Sequence, residues 1–107
     1  MKEVVYIWLD DERQVPKVKK KFGYHVAKIF RVTDYNECIE TLEKYRGVLD
    51  EIWLDLDHDL GFGKTGYDVT KYIVKNGIEV RYNVHSMNPV GKKNIEQLFS
   101  RYGYKTF

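Results

Sequence analysis

Apolar and polar positions change rhythm several times along the chain. Val4 to Leu9 is an unbroken apolar run that stops at Asp10 and Asp11, the pattern of a strand covered on both faces inside a parallel sheet. Residues 14–24 carry Val15, Val18 and Phe22 at near-helical spacing with Gly23 as a stop, which predicts a short first helix. His25 to Val32 reads as a second strand, and Thr33 or Asp34 then caps a second helix. Glu37 completes a capping box there, and Tyr35, Cys38, Ile39, Leu42 and Tyr45 form one apolar stripe before Gly47. Ile52 to Asp57 is the third strand, running into His58, Asp59, Leu60 and a glycine-rich loop that ends at Gly66. Tyr67 to Lys75 makes a third helix stopped by Asn76 and Gly77, and Ile78 to Val84 a fourth strand ending at His85 and Ser86. Asn88 caps a fourth helix with Pro89 at its first position, its buried stripe being Ile95, Leu98, Phe99 and Tyr102, and Tyr104 to Phe107 is a short fifth strand.

Strands alternating with helices over short connections predict an α/β fold. Five parallel strands in the flavodoxin-like order 2-1-3-4-5, with helices on both faces, make a three-layer αβα sandwich. Ligands of such sheets bind beyond the carboxyl ends of the strands, at the switch point between the first and third. Asp10 and Asp11 end the first strand, Asp57, His58 and Asp59 end the third, and His85 and Ser86 end the fourth. Three separate segments therefore bring polar residues to one edge.

Length and composition narrow the class. A chain of 107 residues supports one core and is short for two domains, so residues 1–107 are expected to form a single domain. With 43% hydrophobic and 32% charged residues it has the makings of a core, and its apolar runs fall far short of the ~20 residues a membrane helix needs. Asp10, Asp11 and Glu12 stand where an export signal would carry small residues. Cys38 has no internal partner and reads as a small core residue in a reducing cytoplasm. Net charge is +2, so attraction to nucleic acid is not built into the composition. Lys17 to Lys21 is a basic run, and charge runs of this kind are ordinarily solvated faces.

Carboxylates gathered at one edge repel, so Asp10, Asp11, Asp57 and Asp59 must bind a cation or hold some protons. Magnesium is the natural candidate, because it takes oxygen ligands and pairs carboxylates with a phosphate. His58 and His85 add groups that titrate near neutrality and can act as an acid and base pair, with flanking aspartates to fix their tautomers. His25 lies apart from this company. Gly61 to Gly66 matches neither a P-loop nor a dinucleotide fingerprint, since His58 stands where the first P-loop glycine belongs and the loop follows the wrong strand. It reads as a flexible loop with Lys64 available to a phosphate. The helix opened by Asn88, Pro89, Val90 and Gly91 points its N–H groups at the same crevice, where Ser86 can donate to a phosphate oxygen and Arg13 can make a bidentate contact.

Trp8 to Arg13, Leu56 to Gly61 with Gly66, Tyr67 and Asp68, and Val84 to Gly91 together resemble the cyclic-phosphate-processing receiver domains, a divergent receiver-like family linked to RNA repair and nucleotide cyclic phosphates. The resemblance spans nearly the whole chain. Beside an ordinary response-regulator receiver, Asp10 and Asp11 look like the metal-binding acidic pair, Asp57 or Asp55 like the phosphoacceptor, and Ser86 like the switch hydroxyl. The lysine that ends the fifth receiver strand has no counterpart, Lys105 lying inside the predicted strand, and the final receiver helix is expected to be missing. Acid–base chemistry is thus expected in place of phosphorelay signalling. The expectation is a phosphoesterase acting on a cyclic phosphate, such as a 2′,3′-cyclic RNA end or a small cyclic nucleotide derivative. His58, His85 and Asp57 would be catalytic, the two histidines sharing acid and base roles in either order. Asp10, Asp11 and Asp57 would hold a divalent cation, and Arg13, Asp59, Lys64, Ser86 and Asn88 would position the phosphate. A receiver-like module that binds phosphate or a protein without turnover is the alternative, and an RNA binder using the lysine run is a third, opposed by the near-neutral charge.

Overall fold

The computed structural model describes residues 1–18 and 20–107. Four strands, β1 (Lys2–Leu9), β2 (Tyr24–Val32), β3 (Glu51–Leu56) and β4 (Arg81–Val84), form one parallel sheet in the order β2-β1-β3-β4. Three helices, α1 (Tyr35–Tyr45), α2 (Gly66–Lys75) and α3 (Pro89–Arg101), follow β2, β3 and β4.

Strand alternation sorts the residues between the two faces. Val5, Ile7 and Leu9 of β1 and Leu54 and Leu56 of β3 meet Cys38 and Leu42 of α1, Val69 and Ile73 of α2, and Ile95 and Phe99 of α3 in one core. Val4, Tyr6, Trp8 and Trp53 point the other way and are covered by Val15, Val18, Tyr24, Val26 and Phe107. All three helices therefore lie on one face, and the sandwich has two layers where three were expected. The predicted helix over 14–24 is not formed among the described residues, Lys19 lying outside them. Pro16 disfavours helical backbone at Val15 and offers no N–H. Val15 and Val18 pack, partly buried, as an irregular strap on the helix-free face, while Phe22 is fully exposed at 103%.

The expected fifth strand shrinks to a single parallel bridge between Tyr82 and Thr106, because only the N–H and C=O of Tyr82 are engaged there, by Lys105 and Phe107 at 3.1 and 3.3 Å. β4 is likewise shorter than expected. Ile78 and Val80 are buried, but Ile78 N–H is tied to the Ile73 carbonyl at the end of α2 and its own carbonyl takes the Tyr104 hydroxyl.

Helix starts hold the loops that carry the chemistry. Asp34 caps α1 by accepting from Glu37 N–H at 2.8 Å, while the Glu37 side chain reaches back to Thr33 N–H. Thr65 and Asp68 form a reciprocal capping box on α2. Asn88 caps α3 by accepting from Gly91 N–H at 2.9 Å, with Pro89 at the first helical position. Among the described residues no helix is long and apolar enough to cross a membrane.

Candidate functional site

Register assembles the site. On the helix-free face Tyr6 pairs with Trp53 and Trp53 with Arg81; two residues on, Trp8 pairs with Asp55 and Asp55 with Asn83. The period of two makes Asp10, Asp57 and His85 the next row, and the ladder continues to it through Asp57 N–H to Leu9 and His85 N–H to Leu56, both at 3.0 Å. Ligand atoms of Asp10, Asp57 and His85 lie within 4.8 Å of one another. Asp10 is fully buried and Asp57 buried, with His85 half-buried beside them.

His85 bridges two carboxylates. One ring nitrogen, Nδ1, stands 2.6 Å from Asp55 Oδ1 and the other, Nε2, 2.9 Å from Asp10 Oδ2. A single imidazole serves both carboxylates only if both nitrogens carry hydrogen or one carboxyl holds the proton; with Nδ1–H directed to Asp55, Nε2 becomes a metal donor. The Trp8 indole lies flat against the His85 ring, centroids 3.7 Å apart at 3°, and is itself anchored by Nε1–H to the Arg13 carbonyl at 3.1 Å. Asp55 is buried and accepts three bonds, from His85, from Tyr6 Oη at 2.7 Å and from Asn83 Nδ2 at 3.1 Å. Burial, then the bond to Asp55, pushes the Tyr6 hydroxyl far above its ordinary value, so it remains a donor.

Burial would raise the Asp10 carboxyl, but N–H groups of Arg13 and Glu12, each 2.8 Å from Oδ1, together with His85 hold it below the ordinary carboxylate range. Arg13 leans over the cluster, Nε 3.5 Å from Asp10 Oδ2 and Nη2 3.9 Å from Asp57 Oδ2. As a cation site the cluster offers two carboxylates and one imidazole. The 2.9 Å separation of Nε2 and Oδ2 suits one ion, since ligands ~2.1 Å from a metal at right angles stand about 3.0 Å apart. The nitrogen departs from the all-oxygen set expected of Asp10, Asp11 and Asp57, and such mixed sets suit manganese or zinc as well as magnesium. Asp11 lies outside this group, beside Gly61, where a side chain would come within 3.3 Å of its Oδ2.

His58 sits in the next loop with different company. Its Nδ1 is 2.9 Å from Asp59 Oδ1, which Asn88 Nδ2 approaches at 3.4 Å, and Asp59 N–H donates to Asp57 Oδ1 at 3.3 Å. The bond from His58, opposed by burial and aided by Asn88, lowers the Asp59 carboxyl. The His58 ring packs on the first turn of α3 so closely that any side chain at Gly91 would overlap it, and one at Gly66 would strike the Asp57 carbonyl. Both glycines are thus required by close approach. Ser86 Oγ accepts from Asn88 N–H at 3.2 Å at the entrance to α3. Lys64 lies with Nζ 4.3 Å over the Tyr35 ring, against α1.

Tyr6, Trp8 and Asn83 were not among the expected site residues, and Asp55 was expected only as an alternative to Asp57 as phosphoacceptor, although the alternation Trp53, Asp55, Asp57 places it on the site's face.

The parallel sheet, its strand order about β1 and β3, and an acidic cluster at the carboxyl edge define a receiver-like α/β domain. The profile of the cyclic-phosphate processing receiver domain matches residues 5–101, and the chain belongs to that family. No curated protein matches the chain.

Proposed function

We propose that the chain opens a cyclic phosphodiester to a phosphomonoester, its substrate a small nucleotide cyclic phosphate or a 2′,3′-cyclic RNA end. The observation that carries this is the row Asp10, Asp57 and His85, with His85 held by Asp55 and Trp8. Asp10, Asp57 and His85 would hold a divalent cation, which supplies charge neutralisation for the phosphoryl oxygens.

Arg13 is half-exposed on its side chain at 46% and turns from the carboxylates to the phosphate when the anion arrives. Asn88 and the first N–H groups of α3 face the same anion. Water adds to phosphorus, its proton passing to Asp57, and one ring P–O bond breaks. His58, oriented through Nδ1 by Asp59, donates from Nε2 to the departing oxygen. His85 would orient and ligate and would not shuttle protons, because Asp55 holds its Nδ1 and the cation beside Asp10 would occupy its Nε2.

The test is a screen of cyclic and linear phosphates with magnesium, manganese or no metal, using wild type, His58→Ala and His85→Ala. Ring opening that falls by about 10²- to 10⁴-fold in His58→Ala and loses its metal dependence in His85→Ala supports the reading; full turnover by either variant sinks it. The receiver-like position of Asp57 at the end of β3 favours one second reading, a phosphoryl-accepting module. A stable mass adduct after incubation with a small phosphodonor and magnesium, without turnover of any cyclic phosphate, would favour it.

A further inference from the structure

The helix-free face holds a cavity of about 480 Å³ between Pro16, Lys17, Val18, Lys20 and Lys21 on one side and residues of β3 and β4 on the other, within the roughly 300–1,000 Å³ range of small-ligand sites. Its walls combine two chemistries that the cluster at the sheet edge does not use. Lys17, Lys20 and Lys21 line it from the strap, and none of the three has a carboxylate partner among the described residues. Lys21 Nζ lies over aromatic faces instead, 5.3 Å from the Tyr24 centroid and 5.9 Å from that of Trp53. Phe107 stacks on the buried Trp53, centroids 4.9 Å apart at 10°, so the half-buried Phe107 ring is the aromatic surface that the cavity offers. At one end Asn83 is exposed, its amide oriented by the bond from Nδ2 to Asp55, so its carbonyl oxygen stands ready to accept.

We propose that this cavity is a nucleotide site, with the base against the Phe107 ring, an exocyclic or ring N–H donated to Asn83 Oδ1, and a phosphate on Lys17, Lys20 and Lys21. A bare phosphate would use only the lysines, and an uncharged aromatic only Phe107 and Asn83. A nucleotide uses both. The site is separate from the Asp10, Asp57 and His85 row and stands whether or not that row turns over a substrate. The two are joined, because Asn83 and His85 bond the same oxygen of Asp55, so a base that engages Asn83 acts on the group that orients His85.

Adenosine 5′-monophosphate is the probe, with adenosine and inorganic phosphate as controls, by calorimetry and by the indole N–H signals of the two tryptophans. Adenosine and phosphate should each bind about tenfold or more weakly than the nucleotide, and Lys17→Ala with Lys20→Ala should weaken the nucleotide by a similar factor through lost charge-assisted contacts. The Trp53 indole signal, which reports on the Phe107 ring stacked upon it, should move on binding by more than that of Trp8, in wild type and in His58→Ala alike. These lysine positions are exposed, so the double variant keeps its fold, verified by an unchanged melting temperature. The proposal is overturned if the nucleotide fails to bind at millimolar concentration, if phosphate binds as well, if the lysine changes have no effect, or if Trp8 alone responds.

Discussion

Asp55→Asn is the most informative single substitution in this molecule, because it changes a charge and almost no volume. Asp55 receives three donors, the buried Tyr6 Oη on one oxygen and the half-buried His85 with the exposed Asn83 on the other. In the amide form the Tyr6 hydroxyl turns to accept from Nδ2, while His85 and Asn83 keep an oxygen to bond. What is lost is the charge in those two bonds. Bonds to charged groups contribute about 1.5–3 kcal/mol against 0.5–1.5 for neutral ones, so the two bonds together lose about 2–3 kcal/mol. Asp55→Leu, by contrast, strands the Tyr6 hydroxyl and the His85 Nδ1 at about 1–3 kcal/mol each, while Asn83 turns to water, and the sum approaches the lower end of a small domain's stability. Urea unfolding should show the first loss as a lower midpoint at unchanged slope, and Asp55→Leu should fail to fold. Imidazole ¹⁵N spectra supply the readout that a purely structural role would not move: Nδ1 of His85 is protonated in wild type and becomes a mixture of tautomers in Asp55→Asn. Ring opening should fall by about 10- to 100-fold, each 1.4 kcal/mol being a factor of ten. An Asp55→Asn protein with wild-type stability and an unchanged His85 spectrum would refute the role assigned to this carboxylate.

Other consequences are as direct. Gly91→Ala drives a methyl group into the His58 ring; it should cost about 1–3 kcal/mol of stability through overpacking and abolish the contribution of His58 to turnover, seen by urea unfolding and kinetics on one preparation. Asp68 is held below its ordinary value of 3.8 first by Thr65 N–H and then, against burial, by Lys71. A depressed folded-state value means that its stabilisation is complete above the unfolded value and disappears as pH falls through the folded one, so acid titration of Asp68→Asn should lack that part of the wild-type loss below about pH 4. Cys38 is fully buried, and burial pushes its thiol well above the ordinary value, so a thiol reagent at pH 8 should leave it unmodified until the chain is unfolded.

Much of this architecture was legible because local signals agreed with the fold. The apolar run Val4 to Leu9, the stripe from Cys38 to Leu42, and Asn88 with Pro89 each fixed an element through a single period or cap. Residues 14–24 misled because Val15 and Val18 suit a helix stripe and an irregular strap equally well, and Pro16 settles the matter only when its effect on Val15 is weighed. The loss of the predicted helix there left all the helices on one face, and the aromatic rows on the other are covered by Val15, Val18 and Phe107 in place of a helix. The edge carrying Asp10, Asp57 and His85 was readable as the ends of three strands. The partnership of Asp55 with His85 and the stacking of Trp8 on that ring were not, since they depend on register between β1, β3 and β4. Strand alternation already placed Asp55 and Asp57 on one face, and following it through Tyr6, Trp8 and Asp10 would have turned Asp55 from an alternative phosphoacceptor into a partner of the row.

The central claim is that the Asp10, Asp57 and His85 row serves the opening of a cyclic phosphate. The most direct measurement is ³¹P NMR of uridine 2′,3′-cyclic phosphate with manganese-free protein and a titrated divalent cation, run beside His85→Ala at equal concentration. The account predicts conversion of the cyclic diester signal to a phosphomonoester signal in wild type, dependent on the cation, and little or none in the variant. A cyclic signal that persists with wild type across metals and across the cyclic substrates of the screen, or that decays equally in both proteins, would contradict it.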